Sequence, residues 1–290
     1  MDMGEAKRTM FPLSIYNSGL AFHTKMERFS MSDRPEFREW IDQQNDSDCK
    51  HLPLTHVTKG IIANDIIRED GIDTRYCKNF EVNLAYMFYG RPAYRITGDG
   101  PIQKASSCPF CFIFSPELIE QAYKIYPFDT GAYKARLYKH SIMDEMNPND
   151  FEIILSKSHP QKLIKTVFDN NNNYISGNVT VDENSIEEWN FLAQSYISLL
   201  TSKGRNEPDD RVGSFETIFN KKIELTGNLI SVIVPHTVWD EKSKAPWLLR
   251  LSEKGTDIIT YHFSPGRSSD YYYALLEIEV TNLYKNRGYL

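Results

Sequence analysis

Long apolar runs are missing from this chain. No stretch approaches the roughly 18 apolar residues of a membrane-spanning helix, and the first residues carry no signal-peptide pattern. These absences predict no membrane partner and a reducing, cytoplasmic setting. An excess of basic charge is missing too. Against 39 Asp and Glu stand 33 Lys and Arg, a net charge of −6, which argues against a protein that coats nucleic acid by bulk electrostatics. A local basic patch that meets a nucleic acid briefly stays open. There is no Gly-rich phosphate loop, no internal repeat, and no HxxxH-type spacing among the dispersed His56, His236 and His262, so a metal-dependent hydrolase is the weakest reading. Cysteines number only four, Cys49, Cys77, Cys108 and Cys111. Cys108 and Cys111 have CxxC spacing, but zinc needs two further ligands, and nothing in the spacing of Cys49, His51 and Cys77 demands that they supply them. Buried free thiols are expected ahead of a metal or redox site.

What is present suffices for a core: 41% of the 290 residues are hydrophobic and 13% aromatic. Pro35 to Gln44 predicts a helix with Phe37, Trp40 and Ile41 on one face. Residues 1–50 otherwise look polar and mixed, and predict a helical arm or lid beside a domain spanning 51–290. Leu52 to Thr58 alternates as a strand, with Leu52, Leu54, His56 and Thr58 on one face. Gly60 to Asp70 predicts a helix packed through Ile62, Ile66 and Ile67, ended by a left-handed Gly71. Val82 to Phe88 is an apolar run that fits a strand or a helix end, closed by a turn at Gly90 and Pro92. Phe110 to Phe114 predicts a buried strand, Pro116 to Tyr126 a short helix, and Pro127 to Tyr133 a turn-rich loop. Asn170 to Asn173 predicts an exposed turn. Ser185 to Glu188 has the form of a capping box, opening a helix with Ile186, Trp189, Ala193, Tyr196 and Leu200 on one stripe. Asn228 to Val234 predicts a strand, Gly266 to Asp270 a loop, and Tyr271 to Leu283 a helix or strand. This irregular mixture predicts an α+β fold rather than a doubly wound one.

Glu216 stands out. From Arg211 to Phe219 the chain alternates, with Val212, Ser214, Glu216 and Ile218 on one face and Phe215, Thr217 and Phe219 on the other. A carboxylate on the less aromatic face of a strand is either solvated or the acidic group of a cleft.

Three segments in order, Leu54 to Thr58, Phe88 to Tyr94 and Arg211 to Glu216, together resemble ADP-ribosyltransferases, most closely the DarT-like toxins that modify nucleic-acid bases. The resemblance spans roughly residues 50 to 235 and rests on order and spacing more than on any single motif. It implies a split β-sandwich with surrounding helices and a cleft holding NAD as co-substrate. It also implies that His56 and Thr58 grip NAD and that Glu216 is the catalytic glutamate behind a substrate loop from Lys203 to Arg211. The family's Arg-x-Pro element is matched by Arg91-Pro92 without the intervening residue.

Chemistry asks for the same parts. A fixed carboxylate steadies the oxocarbenium-like ribose formed as nicotinamide leaves, and a cation such as Arg91 suits the pyrophosphate or the positioning of the acceptor. Tyr89 or Tyr94 is expected to stack on nicotinamide. Arg205 and Arg211, or a second basic cluster of Lys134, Arg136, Lys139 and His140, are expected to hold a single strand of RNA or DNA. The resemblance further implies a toxin of a toxin–antitoxin or phage-defence system, with an antitoxin protein as partner. Transfer to a protein side chain, or a module that has lost turnover, are the alternatives.

Overall fold

Residues 34–93, 100–153, 158–202, 212–240 and 244–290 are described by the computed structural model. In chain order they form α1 (Glu36–Asp42), β1 (Leu54–Lys59), α2 (Gly60–Arg68), β2 (Gly71–Ile72), β3 (Arg75–Cys77), β4 (Val82–Tyr89) and β5 (Pro109–Phe114). Next come β6 (Lys124–Tyr126), α3 (Thr130–Lys134), α4 (His159–Phe168), α5 (Asn171–Ser176) and α6 (Phe191–Thr201). Last are β7 (Glu216–Phe219), β8 (Ile223–Glu224), β9 (Leu229–Pro235), α7 (Pro246–Glu253), β10 (Asp257–Tyr261) and α8 (Ser269–Asn286). The class is α+β, as the irregular order of elements predicts.

The main sheet runs β10-β9-β5-β1-β4-β7-β6, with β3 attached to β4. Its neighbours are antiparallel except β9 and β10, which are parallel and joined through α7. Every residue of β5 is buried, which is why its six residues read as one continuous apolar run rather than an alternating one.

The joint between β1 and β4 shapes the centre of the sheet. β1 pairs with β5 over six positions, from Leu54↔Phe114 to Lys59↔Pro109, but with β4 only at Leu54↔Tyr89 and Thr55↔Phe88. Beyond Thr55 the two strands part. β1 stays with β5, while the N-terminal part of β4 pairs with β7 and β3. The sheet therefore divides into two halves hinged on two residue pairs, and the half-open edge between them needs side chains to cover its free backbone groups.

One core holds most of the apolar side chains. The α1 helix joins it through buried Phe37, Trp40 and Ile41, and the ring of Phe37 lies edge-on to Phe151 and Tyr196 at centroid distances of 5.3 and 5.4 Å. Each such buried ring stabilises the fold by about 1.5–3 kcal/mol, so α1 is packed with the residues after position 50 rather than standing apart from them. Residues 1–33 lie outside the described residues. A satellite cluster of Leu84, Tyr126 and Ile218, with Cys77, Phe80 and Tyr86 against it, covers the other face of β4 and β7.

Several local expectations change. Gly71 is a strand residue, and the left-handed residue after α2 is Asp70, at φ 50°. Gly71 is needed for a different reason: a Cβ there would lie 2.8 Å from the Ile223 carbonyl oxygen of β8. The segment from Pro116 to Tyr126 is a 3-10 turn (Pro116–Gln121) followed by β6. The asparagine run is not an exposed turn. Asn170 caps α5 by accepting from the Asn173 N–H, and Asn171 is buried with its amide on the carbonyls of Lys50 and Tyr289. The capping box at Ser185 does not form. Asn190 caps α6 instead, accepting from the Ala193 N–H, which leaves Trp189 outside the helix and 65% exposed. Among the described residues no helix is long and apolar enough to cross a membrane.

Candidate functional site

A cavity of about 420 Å³ opens where β1 and β4 part. Its walls come from His56 and Thr58 of β1, from α2, from the stretch Gly71 to Cys77, and from Leu84, Ala85 and Tyr86 of β4. This volume is within the usual range for small-molecule sites. His56 is set at the split itself. Its Nδ1 lies 3.0 Å from the Tyr86 carbonyl oxygen, which is an acceptor only, so Nδ1 carries the proton and donates. Burial, helped by the Arg75 guanidinium and opposed by the Tyr86 hydrogen bond, lowers the pKa of His56, so the ring is neutral and Nε2 remains an acceptor. A ligand hydroxyl suits that nitrogen.

Glu216 begins β7, opposite Phe88 of β4 and Tyr126 of β6. It shares their face with Tyr86, whose partner is Ile218. Both faces of β7 are covered, and Glu216 is only 4% exposed, so the solvated alternative is overturned. Its Oε2 accepts from the hydroxyl of Thr130 at 2.6 Å and from the Thr130 N–H at 3.3 Å. Burial pushes its pKa up to about 8, and the nearby Asp129 carboxylate adds to the rise against the pull of the two Thr130 bonds. Asp129 is itself buried and caps α3 by accepting from the Ala132 N–H. The chain thus places two acids around the first turn of one short helix.

Tyr86 links the two parts of the site. Its carbonyl holds His56, its hydroxyl donates to Cys77 Sγ at 2.9 Å, and Glu216 is among the charges that raise its pKa. Cys77 in turn contributes to the rise at Glu216. Register alone would send His56 to the face opposite Glu216. Glu216 does not line the His56 cavity; Tyr86 and Cys77, which do, are the lining residues that interact with its charge.

The other expected site residues divide. Thr58 lines the same cavity as His56. Tyr89 does not reach it: the residue is fully buried, its ring stacks on Phe215 at 6.3 Å, and its hydroxyl accepts from the Leu52 N–H at 3.0 Å. Stacking on a ligand is therefore corrected to core packing. Arg91 is buried, but it lines a separate cavity with Ile175 and Ser176 of α5 and Ala274 and Ile278 of α8, none of which borders the His56 cavity. The turn at Gly90, with φ 71°, carries the chain away from the split at that point. Tyr94, Arg205 and Arg211 lie outside the described residues, as does the loop from Lys203.

Two residues that the sequence does not single out, Arg75 and Tyr76, are found at the His56 cavity. Both line the cavity, and Tyr76 is 64% exposed. The sequence offers little signal for them, because β3 is a three-residue strand with no apolar period. Tyr86, Cys77 and Thr130 are hidden for the same kind of reason: their relation to Glu216 is made by strand pairing across large sequence separations. Cys108 and Cys111 are buried free thiols, and burial pushes Cys108 up to about 11. Comparison with known proteins gives no match: no family model, no curated protein and no solved structure matches the chain.

Proposed function

We propose that this protein is an NAD-dependent ADP-ribosyltransferase that modifies a base in single-stranded RNA or DNA. One observation carries the proposal: a sheet split between β1 and β4, with a neutral histidine held at the split and a buried glutamate linked to the cavity lining through Tyr86 and Cys77. A divided sheet with a dinucleotide-sized cleft is what the resemblance of the three segments implies. Of the three segments, the first brings His56 and Thr58 to the cavity, and Phe88 of the second pairs with both Thr55 and Glu216.

The parts suit the reaction. His56 Nε2 accepts a ribose hydroxyl, with Thr58 beside it. Arg75 offers a planar donor fork to the pyrophosphate, and Tyr76 offers an exposed ring face to a base or to nicotinamide. In the transfer the bond between nicotinamide nitrogen and ribose C1′ breaks, and its electron pair leaves with nicotinamide. A base nitrogen or exocyclic amine then bonds to C1′ and gives up a proton. Glu216 stabilises the ribosyl cation and takes that proton. Its raised pKa makes it responsive: the positive charge of bound NAD's nicotinamide ring favours ionisation, so the carboxylate is charged when the substrate cation is near. Toxin action against the cell or against phage, held in check by an antitoxin protein, is the biological setting that goes with this activity.

The test uses labelled NAD with single-stranded RNA, single-stranded DNA and total protein as separate acceptors. Label on a strand is expected, and Glu216→Gln is expected to lower transfer by about 10²–10³ while leaving the fold intact. For the wild type, kcat/KM is expected to rise with pH toward the Glu216 value of about 8. Label on protein alone would move the acceptor to a side chain. Full activity of Glu216→Gln removes the catalytic assignment.

A further inference from the structure

A second cavity, of about 590 Å³, lies beside α3 and is lined by Asn79, Tyr133, Lys134, Arg136, Lys139 and Asp144, among others. Its charge is opposite to that of the His56 cavity. Here three cations face one carboxylate, whereas the His56 cavity has Asp65, Glu69 and Asp73 against Arg75. We propose that the α3 cavity binds the phosphodiester backbone of the acceptor strand and presents a base of that strand to Glu216. This rests on the proposed function for the identity of the acceptor, and it deepens that function by assigning a site.

Three observations support it. The first is position. Thr130, the first residue of α3, holds the Glu216 carboxylate, and Lys134, the last, lines the second cavity. Four residues of α-helix rise only about 6 Å, so a strand lying in this cavity is about a nucleotide's reach from the acid. The second is the state of the cations. Lys139 is exposed on the cavity wall. Arg136 pairs with Asp144, but both side chains are mostly exposed (64% and 69%), and such pairs are weak enough to exchange for phosphate. The third is the link between cavities. Lys134 donates to the Asn79 carbonyl at 2.6 Å and lies 5.2 Å from the centre of the Phe80 ring. Asn79 and Phe80 belong to the turn after Cys77, a wall residue of the His56 cavity. Met143, 61% exposed at the rim, adds an apolar surface for a base face. In a net acidic protein the strand's polyanionic backbone is drawn to this locally basic cavity.

The experiment measures fluorescence anisotropy of a labelled single strand, as RNA and as DNA of the same sequence, at several salt concentrations. It compares the full chain with Lys139→Glu and Arg136→Ala, both exposed positions. Loss of one charged phosphate contact is expected to weaken binding about tenfold and to reduce the salt slope by about 0.7. With labelled NAD, transfer to the strand is expected to fall about tenfold more than nicotinamide release to water, since a lost acceptor contact acts on the acceptor step. Wild-type affinity and salt slope in both variants overturn the site, and so does a wild-type protein that binds neither strand. A wild-type protein that releases no nicotinamide under any condition removes the proposed activity instead, while the anisotropy still decides whether the α3 cavity holds a strand.

Discussion

Glu216→Gln should make the protein more stable at neutral pH and leave it little changed in acid. The carboxylate ionises at about 8 in the folded chain against an ordinary value of 4.5. Between those limits the native state holds a proton that the unfolded chain has lost, so stability falls as pH rises through the window. Each pH unit costs up to about 1.4 kcal/mol. The loss is absent below 4.5, reaches about 3 kcal/mol at pH 7, and is complete above 8, with an upper bound on the order of 5 kcal/mol. Because Glu216 is only 4% exposed, solvent screening removes little of it. Glutamine keeps the shape and keeps an oxygen for the Thr130 hydroxyl and N–H, but it does not ionise. Urea denaturation of both proteins at about pH 4.5, 6, 7 and 8 gives the difference in unfolding free energy directly, and groups common to both cancel. The difference should start near zero and grow to several kcal/mol in favour of glutamine. A difference that stays flat across the window would mean that Glu216 is ionised and solvated in the folded chain. It would also remove the physical basis for a cation-triggered carboxylate.

Two further substitutions probe Tyr89 and Gly71. Tyr89→Phe removes the hydroxyl that accepts from the Leu52 N–H in the core, which should cost about 1–3 kcal/mol and leave NAD turnover unaltered. Reduced turnover at unchanged stability would return Tyr89 to the site. Gly71→Ala drives a methyl against the Ile223 carbonyl oxygen at 2.8 Å, and the β2–β8 pair can relieve it only by separating. A loss of about 1–3 kcal/mol should appear as a lower thermal midpoint, and an unchanged midpoint would show that β2 and β8 are not held this tightly.

Alternation and short-range punctuation make much of the fold legible. The strand at His56, the buried strand from Phe110 to Phe114, the turn at Gly90 and the helix at Phe37 all come from local pattern. Local pattern misleads where two signals compete. Ser185 and Asn190 both suit a helix N-cap, and the choice of Asn190 is made by where α6 must begin to bury Leu192, Ala193 and Tyr196. Asn171 reads as turn chemistry because its two partners, the carbonyls of Lys50 and Tyr289, are more than a hundred residues away. Tyr89 and Arg91 read as site residues because they close the strand that borders the split. Yet Tyr89 is drawn into the core, and Gly90 then turns the chain toward α5 and α8.

By itself the sequence determined the class of the fold, the strand that carries His56 and Thr58, and the presence of a lone glutamate in an alternating segment near residue 216. Periodicity and turn chemistry act within a few residues, so they are written in the order of the chain. Tertiary structure alone decided that Glu216 is buried beside Asp129 and held by Thr130, that Tyr86 interacts with both Glu216 and His56, and that Arg75 rather than Arg91 faces the cavity. Those relations depend on strand pairing that stops after two residues, and on desolvation by elements distant in sequence. Neither leaves a local mark on the residues it joins.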